Sequence, residues 1–143
     1  MLSTYIDIEY KSQLLVMASK LNSVESVDLL LRKVQLEYQI SDELLHDIWV
    51  VLNEAVTNAI KYGNKLDSNK KVRLSFDVVD EKNLCFKVQD EGEGFRLEDV
   101  PDPTSPERIH EANGRGIYLM KKLATKLEYL NNGNTVCVYF AIS

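Results

Sequence analysis

The sequence predicts an α+β fold: a mainly antiparallel mixed sheet with about three helices on one face, in two layers. Three observations predict it. Several short segments alternate apolar and polar residues with period two, as strands with one buried face do. Two longer segments repeat their apolar residues every 3.6 positions, as helices with one buried stripe do. These elements come in runs of strands, helices and a hairpin, without the strict strand–helix alternation of a parallel sheet.

"TYIDIEY" (Thr4–Tyr10) alternates and is β-branched or aromatic, which predicts the first strand. "SQLLVMAS" (Ser12–Ser19) follows as a second extended segment, with a helix as its alternative. The spacing from Ser23 to Tyr38 predicts a helix, with Ser23 as its cap and Ser26 and Asp28 in its first turn. Ser41 opens the next helix, with Asp42 and Glu43 placed where the helix dipole favours negative charge. This helix runs to Tyr62 and is stopped by Gly63, read as a C′ glycine, followed by Asn64. Stepping 100° per residue puts Leu44, Ile48, Val51, Leu52, Ala55, Val56 and Ala59 on one arc, with Glu54 and Asn58 together just outside its edge.

"VRLSFDVV" and "LCFKVQD", separated by "DEKN", read as a hairpin. After Asp90 and "EGEGF" comes "RLEDVPDPTSPERIHEAN", which holds all three prolines. A connection of that length inside a compact domain reads as a functional lid, about residues 96–113. "GRGIYLMKKLATK" begins a helix at its glycines, and "LEYL", "NNGN" and "NTVCVYFAIS" close the chain as a second hairpin.

A chain of 143 residues fits one domain, 1–143. Its 17 Lys and Arg against 22 Asp and Glu leave a formal charge of −5 with no basic stripe, which argues against a nucleic-acid partner. Cys85 and Cys137 lie in apolar strand-like runs without CxxC spacing and read as core thiols in a reducing compartment. No run approaches the roughly 20 apolar residues of a membrane span, so the expectation is a cytoplasmic protein with no membrane partner. His46 and His110 are isolated, with no metal-ligand spacing around them.

Three short motifs carry chemistry. In "NEAVTNAIKYGN", Glu54 and Asn58 sit one helical turn apart and project side by side. A carboxylate can take a proton from an attacking hydroxyl, and an amide oxygen is a neutral hard ligand suited to Mg²⁺. Lys61 lies close to the same edge, where its ammonium could meet a phosphate. In "DEGEGF", Asp90 ends a strand and offers an acceptor to an amino group, while Gly92 and Gly94 let backbone approach a flat ligand. In "NGRGIYLM", Gly114, Arg115 and Gly116 open a helix whose free N–H groups and added guanidinium form an anion site. Each motif alone also fits an ordinary helix edge, turn or joint.

Taken in this order over the full chain, the three motifs resemble the GHKL (histidine kinase-like) ATPase superfamily, whose ATP-binding domains share the Bergerat-type two-layer sandwich. Within it the sequence looks most like anti-sigma regulatory factors of the serine/threonine-protein kinase type. The features that point there are Glu54 four before Asn58, the "PDPTSPE" of the short lid, and "GRGIYLM" after it. The resemblance implies that Asn58 ligates the Mg²⁺ on the ATP phosphates and that Glu54 is the general base toward a partner's serine or threonine. It implies that Asp90 bonds the adenine amino group with Gly92 and Gly94 beside it, and that Gly114, Arg115 and Gly116 contact phosphate. Thr135 matches in placement a threonine that helps fix adenine through water. Tyr62 stands where anti-sigma kinases usually have His, and "NAIKY" there is closer to the histidine-kinase version; Lys61 and Tyr62 can still contact the nucleotide.

The implied function is an ATP-dependent protein kinase that acts as an anti-sigma factor. It would phosphorylate an anti-anti-sigma (STAS-type) partner and sequester a sigma factor, with homodimerisation through the first strand and helix as a family inference. The alternatives are a partner-switching module in which ATP only sets conformation, and a histidine-kinase catalytic domain. The last is disfavoured because no phosphoacceptor-histidine helix precedes the motifs.

Overall fold

The computed structural model describes residues 8–11, 14–93 and 112–142. Strands β1 (Ile8–Lys11) and β2 (Leu14–Ala18) lead through a 3-10 turn, Leu21–Ser26, into helices α1 (Val27–Tyr38) and α2 (Asp42–Asn58). After α2 come the hairpin β3 (Lys71–Val79) and β4 (Asn83–Gln89), helix α3 (Ala112–Leu123), and the hairpin β5 (Lys126–Leu130) and β6 (Thr135–Ala141). The strands form one sheet in the order β1-β2-β3-β4-β6-β5, and every neighbouring pair is antiparallel.

The period-two pattern explains the layers. Leu15 and Met17 of β2, Val72, Leu74 and Phe76 of β3, and Leu84, Phe86 and Val88 of β4 all point to one buried face. Val136, Val138 and Phe140 of β6 continue it, and the helices supply the other half of the same core through Val27, Leu30, Ile48, Leu52, Val56 and Met120. Phe86 sits at the centre, its ring centroid 5.1 Å from Phe76 and 6.2 Å from Phe140. Burying each such side chain contributes about 1.5–3 kcal/mol.

The predicted arc of α2 is the buried one: Ile48, Val51, Leu52, Ala55 and Val56 are inaccessible, and Leu44 is partly covered. Ser41 caps this helix, its Oγ accepting from Leu44 N at 3.1 Å. The predicted cap of α1 is different. Ser23 is buried in the 3-10 turn and Ser26 Oγ donates to its carbonyl at 2.6 Å, so no hydroxyl caps α1. The entry is made by backbone turning through 3-10 geometry, a common device at helix starts.

Two further boundaries differ from the sequence reading. The helical run from Ser41 leaves α-geometry at Asn58 and passes through a π-helical turn, Ala59–Gly63. α3 begins at Ala112, so Gly114, Arg115 and Gly116 lie within its first turns instead of preceding it. The first predicted strand is described only from Ile8, and Gly94 and nearly all of the predicted lid fall outside the described residues.

Candidate functional site

The π-helical turn shapes one wall of the site. Asn64 N donates to Ala59 O at 2.8 Å and closes the wide turn, and Leu66 N then reaches back to Ile60 O at 2.8 Å. Such a turn rotates the residues that follow it relative to a continuous α-helix, and π-turns recur at functional sites. Lys65 and Leu66 pay out the excess rotation in left-handed geometry, at φ 52° and 61°. For residues other than glycine this costs on the order of 1–3 kcal/mol each.

The opposite wall is the end of β4 and the start of β6. Asp90 N donates to Asn134 O at 2.9 Å, and Gly92 N donates to Asp90 Oδ1 at 2.7 Å, so the carboxylate is held in a tight turn. The turn packs against the π-helical segment backbone to backbone. A Cβ on Gly63 would overlap the Asp90 carboxylate, 2.8 Å from Oδ1, and one on Gly92 would lie 2.7 Å from the Gly63 carbonyl carbon. Gly63 has no left-handed φ, so it is not a C′ glycine. Close approach of Asp90 is what requires glycine there.

Between the walls lies a cleft of about 270 Å³. Ala55, Ala59, Val88, Ile117, Met120 and Val136 give it apolar surfaces, and Asn58, Tyr62, Lys65, Asp90, Glu93 and Asn134 its polar groups. An apolar slot with a few convergent polar groups suits a flat heteroaromatic ligand. Among the described residues, no group of three or more His, Cys, Asp or Glu could hold a metal ion unaided. The Asn58 amide oxygen, in the lining of the cleft, is a neutral hard donor of the kind that suits a Mg²⁺ keeping most of its ligands as water.

Asn58, Tyr62, Asp90 and Gly63 are thus brought together, and Gly92 packs beside them. Lys61 does not line the cleft; it is exposed, with Nζ 5.5 Å from the Tyr62 ring centroid, and Lys65 is the cation in the lining. Glu54 lies one turn from Asn58, outside the lining, with its carboxylate against α3: a Cβ on Gly116 would overlap Oε1 and lie 2.6 Å from Cδ. Tyr129, which lines the cleft, is raised above its ordinary pKa by burial and then by the charge of Glu54.

Thr135 stands at the start of β6. It is buried and outside the lining, accepts from Asn131 Nδ2 at 3.3 Å, and donates to Asn134 Oδ1 at 3.0 Å. Val136, Val138 and Phe140 face the helices, so Asn134 has the parity that reaches the cleft and Thr135 has the other. That parity was available in "NTVCVYF". Lys65, Tyr129 and Asn64 carried no comparable signal.

Burial raises the Asp90 carboxyl above its ordinary 3.8, opposed by the Gly92 N–H bond and by Lys70. The folded chain therefore keeps this proton in a pH window where the unfolded chain has lost it. Stability falls as pH rises from 3.8 through the raised value and stays lower above it. Asp90→Asn is expected to remove that loss: the variant should be more stable than wild type at pH 7, with the difference vanishing in acid. Urea denaturation at several pH values checks this, and equal stability at pH 7 would contradict it.

The histidine kinase-like ATPase domain family matches residues 17–140. The serine-protein kinase RsbW of Bacillus licheniformis is 30% identical over 99 residues, covering 64% of this chain and 61% of that protein. RsbW of Bacillus subtilis (strain 168) is 29% identical over 102 residues, covering 66% and 62%. The anti-sigma F factor of Bacillus thuringiensis (strain Al Hakam) is 33% identical over 94 residues, covering 63% and 62%. The matches thus span about 61–62% of the length of these curated relatives. Among solved structures, the blue-light activated histidine kinase of Erythrobacter litoralis EL346 aligns with a TM-score of 0.52 and 23% identity, covering 72% of this chain and 31% of that one. Its isolated histidine kinase domain aligns at 0.50 and 16%, covering 88% and 61%. These two similarities bear on the fold alone. With the family match covering most of the sequence and the cleft formed between its motifs, the chain belongs to the histidine kinase-like ATPase domain family.

Proposed function

We propose that this chain is an ATP-dependent serine/threonine protein kinase that acts as an anti-sigma factor. It would phosphorylate a STAS-type anti-anti-sigma protein and sequester a sigma factor, as one domain working in the cytoplasm. The observation that carries the reading is Glu54, a carboxylate one helical turn from Asn58 and held against the first turns of α3. A protein that only grips nucleotide has no use for a base there. The names of the relatives, a serine-protein kinase and an anti-sigma factor, support the same reading.

On this reading each residue is assigned a role. Asp90 would accept from the adenine amino group with Gly92 packed beside it, Gly94 is assigned to the same pocket, and the apolar surfaces would hold the ring faces. Thr135 acts through Asn134. Asn58 would hold Mg²⁺, which would neutralise phosphate charge when bound, and Gly114, Arg115 and Gly116 would bind phosphate oxygens at the start of α3. Tyr62, in the cleft lining, and the neighbouring Lys61 would contact the nucleotide. Glu54 takes the proton of the partner's hydroxyl as its oxygen bonds to the γ-phosphorus; the bond to the β-phosphate oxygen breaks and ADP leaves. In-line phosphoryl transfer is mainly positioning and charge stabilisation, so these parts suffice.

The test is incubation with Mg-ATP and a STAS-type protein, reading labelled phosphate on the partner. Wild type is expected to transfer phosphate. Glu54→Ala is expected to lose at least about 100-fold in rate with ATP affinity kept, the usual range for removing a general base. Full transfer by the variant would exclude Glu54 as base. No transfer by wild type, with ATP-dependent partner binding, would favour a pure partner switch.

A further inference from the structure

Asn64 ends the first motif without a chemical role assigned to it there, yet its side chain is completely buried and used at both ends. Nδ2 donates to Ser19 Oγ at 2.7 Å and to Lys71 O at 3.0 Å, while Oδ1 accepts from Glu91 N at 2.7 Å. Ser19 Oγ in turn donates to Lys70 O at 2.6 Å, and the Glu91 carboxylate accepts from Lys71 N. One amide therefore ties the end of β2, the start of β3 and the peptide that directly follows Asp90. Its own backbone N–H closes the π-helical turn that follows Asn58 and contains Tyr62. Both hydrogens of the amide have acceptors and its oxygen has a donor, so its orientation is fixed.

We infer that Asn64 is a positioning residue for base recognition: by pinning the Glu91 peptide it fixes where Asp90 presents its carboxylate, and so sets selectivity for a 6-amino purine. The inference rests on the nucleotide reading of the cleft given above. The mechanics follow from the turn. Asp90 Oδ1 is aligned by Gly92 N–H, the Glu91 amide between them is held by Asn64, and the turn is pressed on Gly63. Without the Asn64 pin, the Glu91 N–H loses its buried partner and the Asp90–Gly92 turn is free to rotate away from the cleft. The half-covered Glu91 N–H, once without this acceptor, can turn to water instead, which favours such a shift.

The discriminating probe is inosine triphosphate, which carries an oxo group where adenine has the amino group. A hydrogen bond to a charged acceptor is worth about tenfold or more in affinity, so wild type should prefer ATP over inosine triphosphate by at least that ratio. Asn64→Leu is expected to bring the ratio near one, by lowering ATP affinity while leaving inosine triphosphate within about twofold. In an Asp90→Ala background, adding Asn64→Leu should change the ratio no further. Should Asn64→Leu fail to fold, Ser19→Ala removes one anchor of the same amide and should lower the ratio partway. An unchanged ratio in the folded variants, or an equal fall for both nucleotides, would overturn the inference while sparing the nucleotide reading. Wild type binding both nucleotides equally would overturn the Asp90 assignment, and the inference with it.

Discussion

Gly116→Ala is expected to lower phosphate transfer at least about 100-fold while ATP affinity changes only a few-fold. The added methyl would occupy the space of Glu54 Oε1 and lie 2.6 Å from Cδ and 3.0 Å from Cγ. Glu54 stands on α2, a 17-residue helix whose other face is in the core, so the helix cannot retreat. The side chain must swing instead, and a general base works only within hydrogen-bond reach of its proton. A displacement of about 1 Å at a reacting group can cost 100-fold. Melting of α3 is not a competing cause, because Ala is favoured over Gly in a helix by about 0.8–1 kcal/mol. Combined with Glu54→Ala, the glycine change should add little, as expected of two changes that act on one group. Wild-type transfer by Gly116→Ala would remove Glu54 from the chemistry; a matching collapse of ATP affinity would assign Gly116 to phosphate binding alone.

Much of this arrangement is legible in the sequence, for a physical reason. Burial imposes period two on β3, β4 and β6 and period 3.6 on α2, so sheet, hairpins and inward arc can be read residue by residue. The Ser41 cap is readable because it is local. What could not be read depends on contacts between distant segments. The side chain of Asn64, at the end of the π-helical turn, meets Ser19, Lys71 and Glu91 in space, and no short window of sequence contains all four. Gly63 looked like a helix stop, since a glycine after a helix usually is one; its requirement comes from Asp90, 27 positions later by number. The glycines of "GRGIYLM" suggest a helix start there, whereas α3 begins earlier, at Ala112. Ser23 had the right identity for a cap, but the chain used it to anchor a 3-10 turn.

Gly92→Ala should damage binding where Gly116→Ala damages transfer: ATP affinity is expected to fall at least about 100-fold and stability by about 1–3 kcal/mol, the usual cost of overpacking. The Cβ would overlap the Gly63 carbonyl oxygen and lie 2.7 Å from its carbon and 3.0 Å from Asp90 Oδ1. Backbone cannot rotate out of the way as a side chain can. The end of β4 must therefore separate from the π-helical turn, and Asp90, aligned by the Gly92 N–H at 2.7 Å, moves with it. Both walls of the cleft shift at once, which explains why the expected loss exceeds that of any single hydrogen bond. Gly63→Ala provides the control. Its methyl meets the Asp90 side chain, 2.8 Å from Oδ1, and that carboxylate can turn aside. ATP affinity should fall similarly there, with a smaller loss of stability. Calorimetric titration with ATP and urea denaturation of both variants separate the effects. ATP affinity within twofold of wild type in Gly92→Ala would show that the contact between the two glycines does not hold the site together.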